Sequence, residues 1–177
     1  MTTQIALLRG INVGGNNIIK MAELRVLLTS LGYGDVRTYI QSGNCIFQSD
    51  AEPCVLQDQI AQAIEAQYGF RPAVLVMSAD LMQAAVDASP FPEVPDDPKS
   101  LHLYFLSTPA EAADLAKLEA LKIDSENYHL TNTVFYLNTP EGMARSKLGA
   151  GAEKALGVAA TARNLNSVLK ILELAKT

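Results

Sequence analysis

The chain has 177 residues, enough for one compact domain or two small halves that bury roughly 70% of the surface exposed by the unfolded chain. Hydrophobic residues at 49% and charged residues at 19% exclude a disordered or low-complexity polymer, and a net charge of -5 argues against a general nucleic-acid binder. No eighteen apolar residues run together, the start MTTQIALLRG lacks a basic leader, and two cysteines without CxxC spacing support neither a disulfide framework nor zinc, so a cytoplasmic protein is expected.

The first elements come in a telling order. QIALLRG (4 to 10) is an almost continuous apolar run, as in a strand buried on both faces. Residues 21 to 34 place Met21, Leu24, Leu27, Leu28 and Leu31 at helical spacing, with Gly32 or Gly34 as terminator. Residues 35 to 49 read as two strands about a tight turn at Ser42-Gly43-Asn44. A helix over 54 to 70 turns Val55, Ile60, Ile64 and Tyr68 inward, and AVLVM (73 to 77) is a strand. The sum is βαββαβ, the ferredoxin-like unit with an antiparallel four-stranded sheet.

A short helix at 78 to 88 follows, and four prolines within 89 to 99 then mark a stiff connector. Beyond it the pattern partly repeats: a strand at 101 to 106, a helix at 109 to 121, and a hairpin at 126 to 138 about Thr131-Asn132-Thr133. A loop with Ser146 and Lys147 leads to a helix ending near Gly157, and a final helix starts at about Asn164. The second half therefore reads βαββαα, with a helix where the last strand would be. The fold class is α+β, two ferredoxin-like α/β-sandwich halves with mainly antiparallel sheets: residues 1–88, a connector at 89–99, and 100–177 ending in a helix.

Three separated segments, LLRGINVGGNN, VRTYIQSGNCIF and TARNLNSVLKILEL, together resemble the family known as domain of unknown function 1697. The resemblance spans nearly the whole chain and implies an α+β fold with ferredoxin-like halves. It implies no activity. Cys45 stands where the family usually has an apolar residue such as valine, which speaks against a cysteine nucleophile.

GINVGGNN begins like a P-loop, with four residues between Gly10 and Gly15, but Asn16 and Asn17 stand where lysine and a hydroxyl belong. There is no GxGxxG either, so no nucleotide cofactor is expected. What remains is Arg9, a loop with Asn12, Gly14, Gly15 and Asn16, and a helix starting near Lys20. That arrangement suits an anion at a helix N-terminus. It suits equally a turn in which the glycines supply positive backbone angles and the asparagines cap. Gln41, Ser42 and Asn44 form a second polar cluster at the hairpin, expected at the opposite end of the sheet. Thr161, Arg163 and Asn164 precede the last helix, where Asn164 or Thr161 would cap and a cation such as Arg163 calls for an acidic partner or an anion.

Charge is uneven along the chain. Residues 1 to 50 hold four bases against three acids and residues 141 to 177 six against three, whereas 51 to 140 hold four against thirteen. If the ends meet, Arg9, Lys20, Lys147 and Arg163 would form a locally positive site for a phosphorylated or carboxylated metabolite, and Arg163→Ala would weaken its binding. His102 and His129 are isolated and no metal site is expected. No Ser/His/Asp set can be assembled, and of the expected central strands IALLRG has no aromatic and GNCIFQ offers only Phe47 for stacking on RNA. Three readings stand: a small-anion binder, a non-enzymatic protein-interaction module whose motifs are caps and turns, and, last, nucleic-acid contact through the basic ends.

Overall fold

In a computed structural model, residues 1–92 and 97–177 are described, so part of the connector expected at 89–99 lies outside the described residues. Contacts divide the chain into a first unit, Met1–Ala84 with Leu169–Thr177, and a second, Ala85–Val168. Each holds a four-stranded antiparallel sheet, and no described helix is long and apolar enough to cross a membrane.

The first sheet has strands β1 (Thr2–Arg9), β2 (Gly34–Tyr39), β3 (Asn44–Ser49) and β4 (Ala73–Ser78), in the order β2-β3-β1-β4. Helices α1 (Met21–Ser30) and α2 (Pro53–Tyr68) fill the crossovers, and α3 (Ala79–Asp87) follows β4. Alternation along β1 puts Ala6 and Leu8 into one core with Leu24, Leu28, Leu56, Ile60 and Ile64. Each fully buried leucine or isoleucine contributes roughly 1.5 to 3 kcal/mol. Val55, expected inward, is 45% exposed, and Leu56 takes its place in the stripe. Pro53 opens α2 and Gly69, at φ 78°, closes it, each where its backbone preference suits the helix end. Tyr33 stacks on Phe47 at 4.6 Å and donates to Gln59 Oε1.

Two details secure the margins of this unit. On the edge strand β4, the Val76 N–H donates to Gln57 Oε1 of α2 at 3.0 Å. On β2, Arg37 pairs with Asp35 and donates to the Leu174 carbonyl at 2.6 Å, a cation placed at a helix C-terminus. Through such contacts residues 169–177 group with the first unit, not with the C-terminal half in which the sequence order put them.

The second unit has β5 (Leu101–Leu106), β6 (Asn127–Leu130), β7 (Val134–Asn138) and β8 (Ala160–Asn164), in the order β6-β7-β5-β8. Helices α4 (Leu115–Leu121) and α5 (Lys147–Leu156) cover one face, and α6 (Leu165–Ala175) follows β8. The expected βαββαα order is therefore corrected: strand β8 precedes the last helix, paired with β5 from His102↔Asn164 to Leu106↔Ala160. Its ATARN sequence has little apolar character, and pairing with β5, not local propensity, makes it a strand. Helix α4 starts at Leu115 rather than 109, because the Asp114 carboxylate accepts the Lys117 N–H at 2.9 Å and fixes the helix start there.

Tyr104 lies in the second core, 7% exposed, edge-on to Phe135 and donating to the Gly149 carbonyl at 3.2 Å. Burial foremost, with Glu126 and Glu153 adding, pushes its hydroxyl up to about 12 from 10.0. The unfolded chain ionises this group near 10, so its contribution is intact below about pH 10 and is lost as pH rises through 12. Urea unfolding at stepped alkaline pH is expected to show a loss of up to about 3 kcal/mol from this group, absent in Tyr104→Phe.

Candidate functional site

Antiparallel pairing of β1 with β3 sets Leu7 opposite Asn44, so the end of β1 adjoins the β2–β3 turn. The two polar loops expected at opposite ends of the sheet thus share one end. The third strand of the unit runs against the first and must start where the first stops. The Leu8 N–H donates to the Gly43 carbonyl at 2.8 Å, and Asn12 joins the loops directly. Its Nδ2 donates to the Gln41 carbonyl at 2.8 Å and to the Ile19 carbonyl at 3.0 Å, while its Oδ1 accepts the Ile19 N–H at 2.8 Å.

Within the first loop the chain makes a miniature hairpin. Asn12 N–H donates to Asn17 O and Asn16 N–H to Val13 O, at 3.1 and 3.0 Å. Gly14 and Gly15, at φ 57° and 78°, occupy its two central positions, as a mirror-image turn requires. Asn17 Nδ2 donates to the Gly10 carbonyl at 2.9 Å, and Asn16 Nδ2 lies 3.5 Å from Gly14 O. The Asn12 and Asn17 side chains are thus turned onto the backbone. Asn44, wholly buried, donates to Tyr39 O and Ser42 Oγ, both at 3.0 Å.

Three apolar side chains are exposed at this end, among the exposed polar residues Asn16, Asn17, Gln41 and Ser42. Val13 is 66% exposed, Ile18 55% and Ile40 48%. Ile40 also sits at φ 48°, a left-handed conformation that a β-branched residue adopts only under constraint. Beside it Gly43, at φ 82°, is pressed against the core: an added Cβ would lie 2.7 Å from Leu8 Cβ and 2.8 Å from Ile11 Cδ1.

The charged candidates of this unit are dispersed. Lys20 precedes α1, where no side chain caps the first turn, and its ammonium lies 3.5 Å from Glu23. Arg9 falls on the β1 face opposite Leu8, away from the core that α1 shares. Cys45 is fully buried in that core.

In the second unit, β7 and β8 both run against β5 and end where it begins, so the segment leading to Ser146 and the Arg163-Asn164 end of β8 leave the sheet at one end. Ser146 is a cap: its Oγ accepts the Gly149 N–H at 2.8 Å, with Lys147 opening α5. Asn164 Oδ1 likewise accepts the Ser167 N–H at 2.9 Å at the start of α6. Thr161 is buried opposite Phe105, and Arg163 is a strand residue whose Nη1 donates to Ala162 O, not a cation at the end of a helix. Strand alternation gives Thr161 and Arg163 one face and Asn164 the other. Among the described residues no group of three His, Cys, Asp or Glu could hold a metal ion.

A family model described as "Protein of unknown function (DUF1697)" matches residues 1–136. The solved structure of the conserved bacterial protein SP0830 from Streptococcus pneumoniae is similar over 98% of both chains, at 27% identity and a TM-score of 0.72. No curated protein matches.

Two substitutions at the turn should move stability in opposite directions. Gly43→Ala, strained and overpacked, is expected to cost about 3 kcal/mol. Ile40→Asn, which tolerates the left-handed conformation, should gain about 1 kcal/mol and raise Tm by roughly 2 to 4 °C in a thermal melt. A lower Tm for Ile40→Asn would show that the isoleucine contributes more to packing than the strain costs.

Proposed function

We propose that this chain, which belongs to the DUF1697 family of proteins of unknown function, is a protein-interaction module whose recognition surface is the loop end of the first sheet. One observation carries the reading. The asparagines that could have cradled a ligand are bonded to their own loops, while Val13, Ile18 and Ile40 stand exposed on backbone held by those bonds. Side chains on pre-ordered turns lose little entropy on docking, and exposed apolar groups, of which Ile40 is held in a strained backbone conformation, match a partner protein with an apolar pocket.

A second reading keeps the small anion, phosphate or carboxylate, at the start of α1. It is favoured by the absence of a side-chain cap there and by Lys20, whose side chain is 79% exposed. The N–H groups of Gly14 and Gly15 would complete that site, without Arg9, which lies on the other face of β1. The Lys20–Glu23 pair opposes it by placing a carboxylate in the same turn.

A thermal-shift panel of phosphate, sulfate, nucleotides and organic acids separates the two. An anion at a hundred times its Kd stabilises by about 2.7 kcal/mol, and Lys20→Ala should abolish that. The interaction module instead leaves the panel flat. A partner retained by the wild-type chain should bind the Val13→Asp/Ile18→Asp variant about thirtyfold more weakly, at unchanged Tm. Undiminished binding by that variant would move the recognition surface elsewhere.

A further inference from the structure

At the other end of the first sheet, where β1 begins and β4 passes into α3, lies a cavity of about 470 Å³. It shares no residue with the loops just described. Thr2, Ser78 and Gln83 supply polar groups to its wall, and Leu172 and Ala175 supply an apolar side. Two full charges also line it, Asp80 and Lys176.

These two charges are not paired. Elsewhere in the unit unlike charges that come near each other close up, as Arg37 does with Asp35 and Arg71 with Asp58 and Glu65. Among the described residues, neither the Asp80 carboxylate nor the Lys176 ammonium joins an ion pair within 4.0 Å or a hydrogen bond. Asp80 and Lys176 line one cavity as unlike charges that do not pair with each other. At more than 4 Å in a wet site their mutual attraction is only about 1 kcal/mol, too little to immobilise a lysine side chain.

We infer that this cavity binds a small zwitterion of the α-amino-acid class, with the ligand ammonium against Asp80 and its carboxylate against Lys176. The volume falls in the range of small-ligand sites, and hydroxyls and an amide beside the charges suit a polar metabolite. Charge also gives selectivity. A simple carboxylic acid would satisfy Lys176 but face Asp80, and a simple amine would satisfy Asp80 but face Lys176, so each carries one repulsive contact that the zwitterion avoids.

The test is an amide-shift titration by NMR of the full chain with free α-amino acids, each beside its decarboxylated amine and deaminated acid. At least one amino acid should shift the signals of Thr2, Thr3, Ala79, Asp80 and Lys176 while those of residues 10 to 20 stay in place. The matched amine and acid should bind at least about tenfold more weakly, and Asp80→Asn and Lys176→Gln should each weaken the amino acid by roughly ten- to a hundredfold. Both positions are exposed, so unchanged spectra away from the cavity will report an intact fold. The inference is overturned if no amino acid shifts these signals at about 10 mM, well above a millimolar Kd. Equal binding of acid, amine and zwitterion, or unchanged binding by both variants, overturns it as well.

Discussion

The register of β1 between β3 and β4 is the constraint from which the first unit follows. Both neighbours run antiparallel to it, with Ala6 facing Cys45 on one side and Val76 on the other. A slip of one residue would exchange Ala6 and Leu8, which meet the helices, for Ile5 and Leu7, which lie on the opposite face. The same register brings the outgoing loop of β1 against the β2–β3 turn, close enough for a single asparagine to bond to both. It also sends the start of β1 to the other end, beside the passage from β4 to α3.

The second unit repeats this plan with different residues. Strand orders β2-β3-β1-β4 and β6-β7-β5-β8 correspond element by element. The bond from Leu8 N–H to Gly43 O has its counterpart from Leu106 N–H to Thr133 O, at 2.9 Å. The last strand of each unit passes into a helix through a capping side chain, Ser78 accepting from Leu81 N–H and Asn164 from Ser167 N–H. One solution to backbone pairing is met twice, although glycine stands at the first turn and threonine at the second.

Much of this plan was legible in the sequence because it is written in periodicity and punctuation. The continuous apolar runs of β1 and β5, the helical spacing of α1, and the closing glycines of α2 and α5 are local signals. Strand β8 is not, since a short polar segment becomes a strand only by pairing with β5. Nor is the meeting of the two loops, which depends on strand direction. At the site, the asparagines and glycines were visible as residue types, but an asparagine has the same letter whether it holds a ligand or its own backbone. The left-handed Ile40 left no trace, because its φ is imposed by the turn around it and isoleucine would locally prefer an extended chain. Arg163 was visible too, yet its strand setting changes its meaning from a charge at a helix end to a side chain on a sheet face.

The bond from Val76 to Gln57 has a bearing beyond this one chain. An outermost strand normally offers a row of unsatisfied donors and acceptors to any other extended polypeptide, and that offer is how sheets grow into fibres. On β4 one of those donors is already held by the carboxamide of the adjacent helix. A foreign strand arriving there would have to displace that side chain to complete its ladder at Val76. At this position a single glutamine makes the edge of β4 a less ready template for another strand.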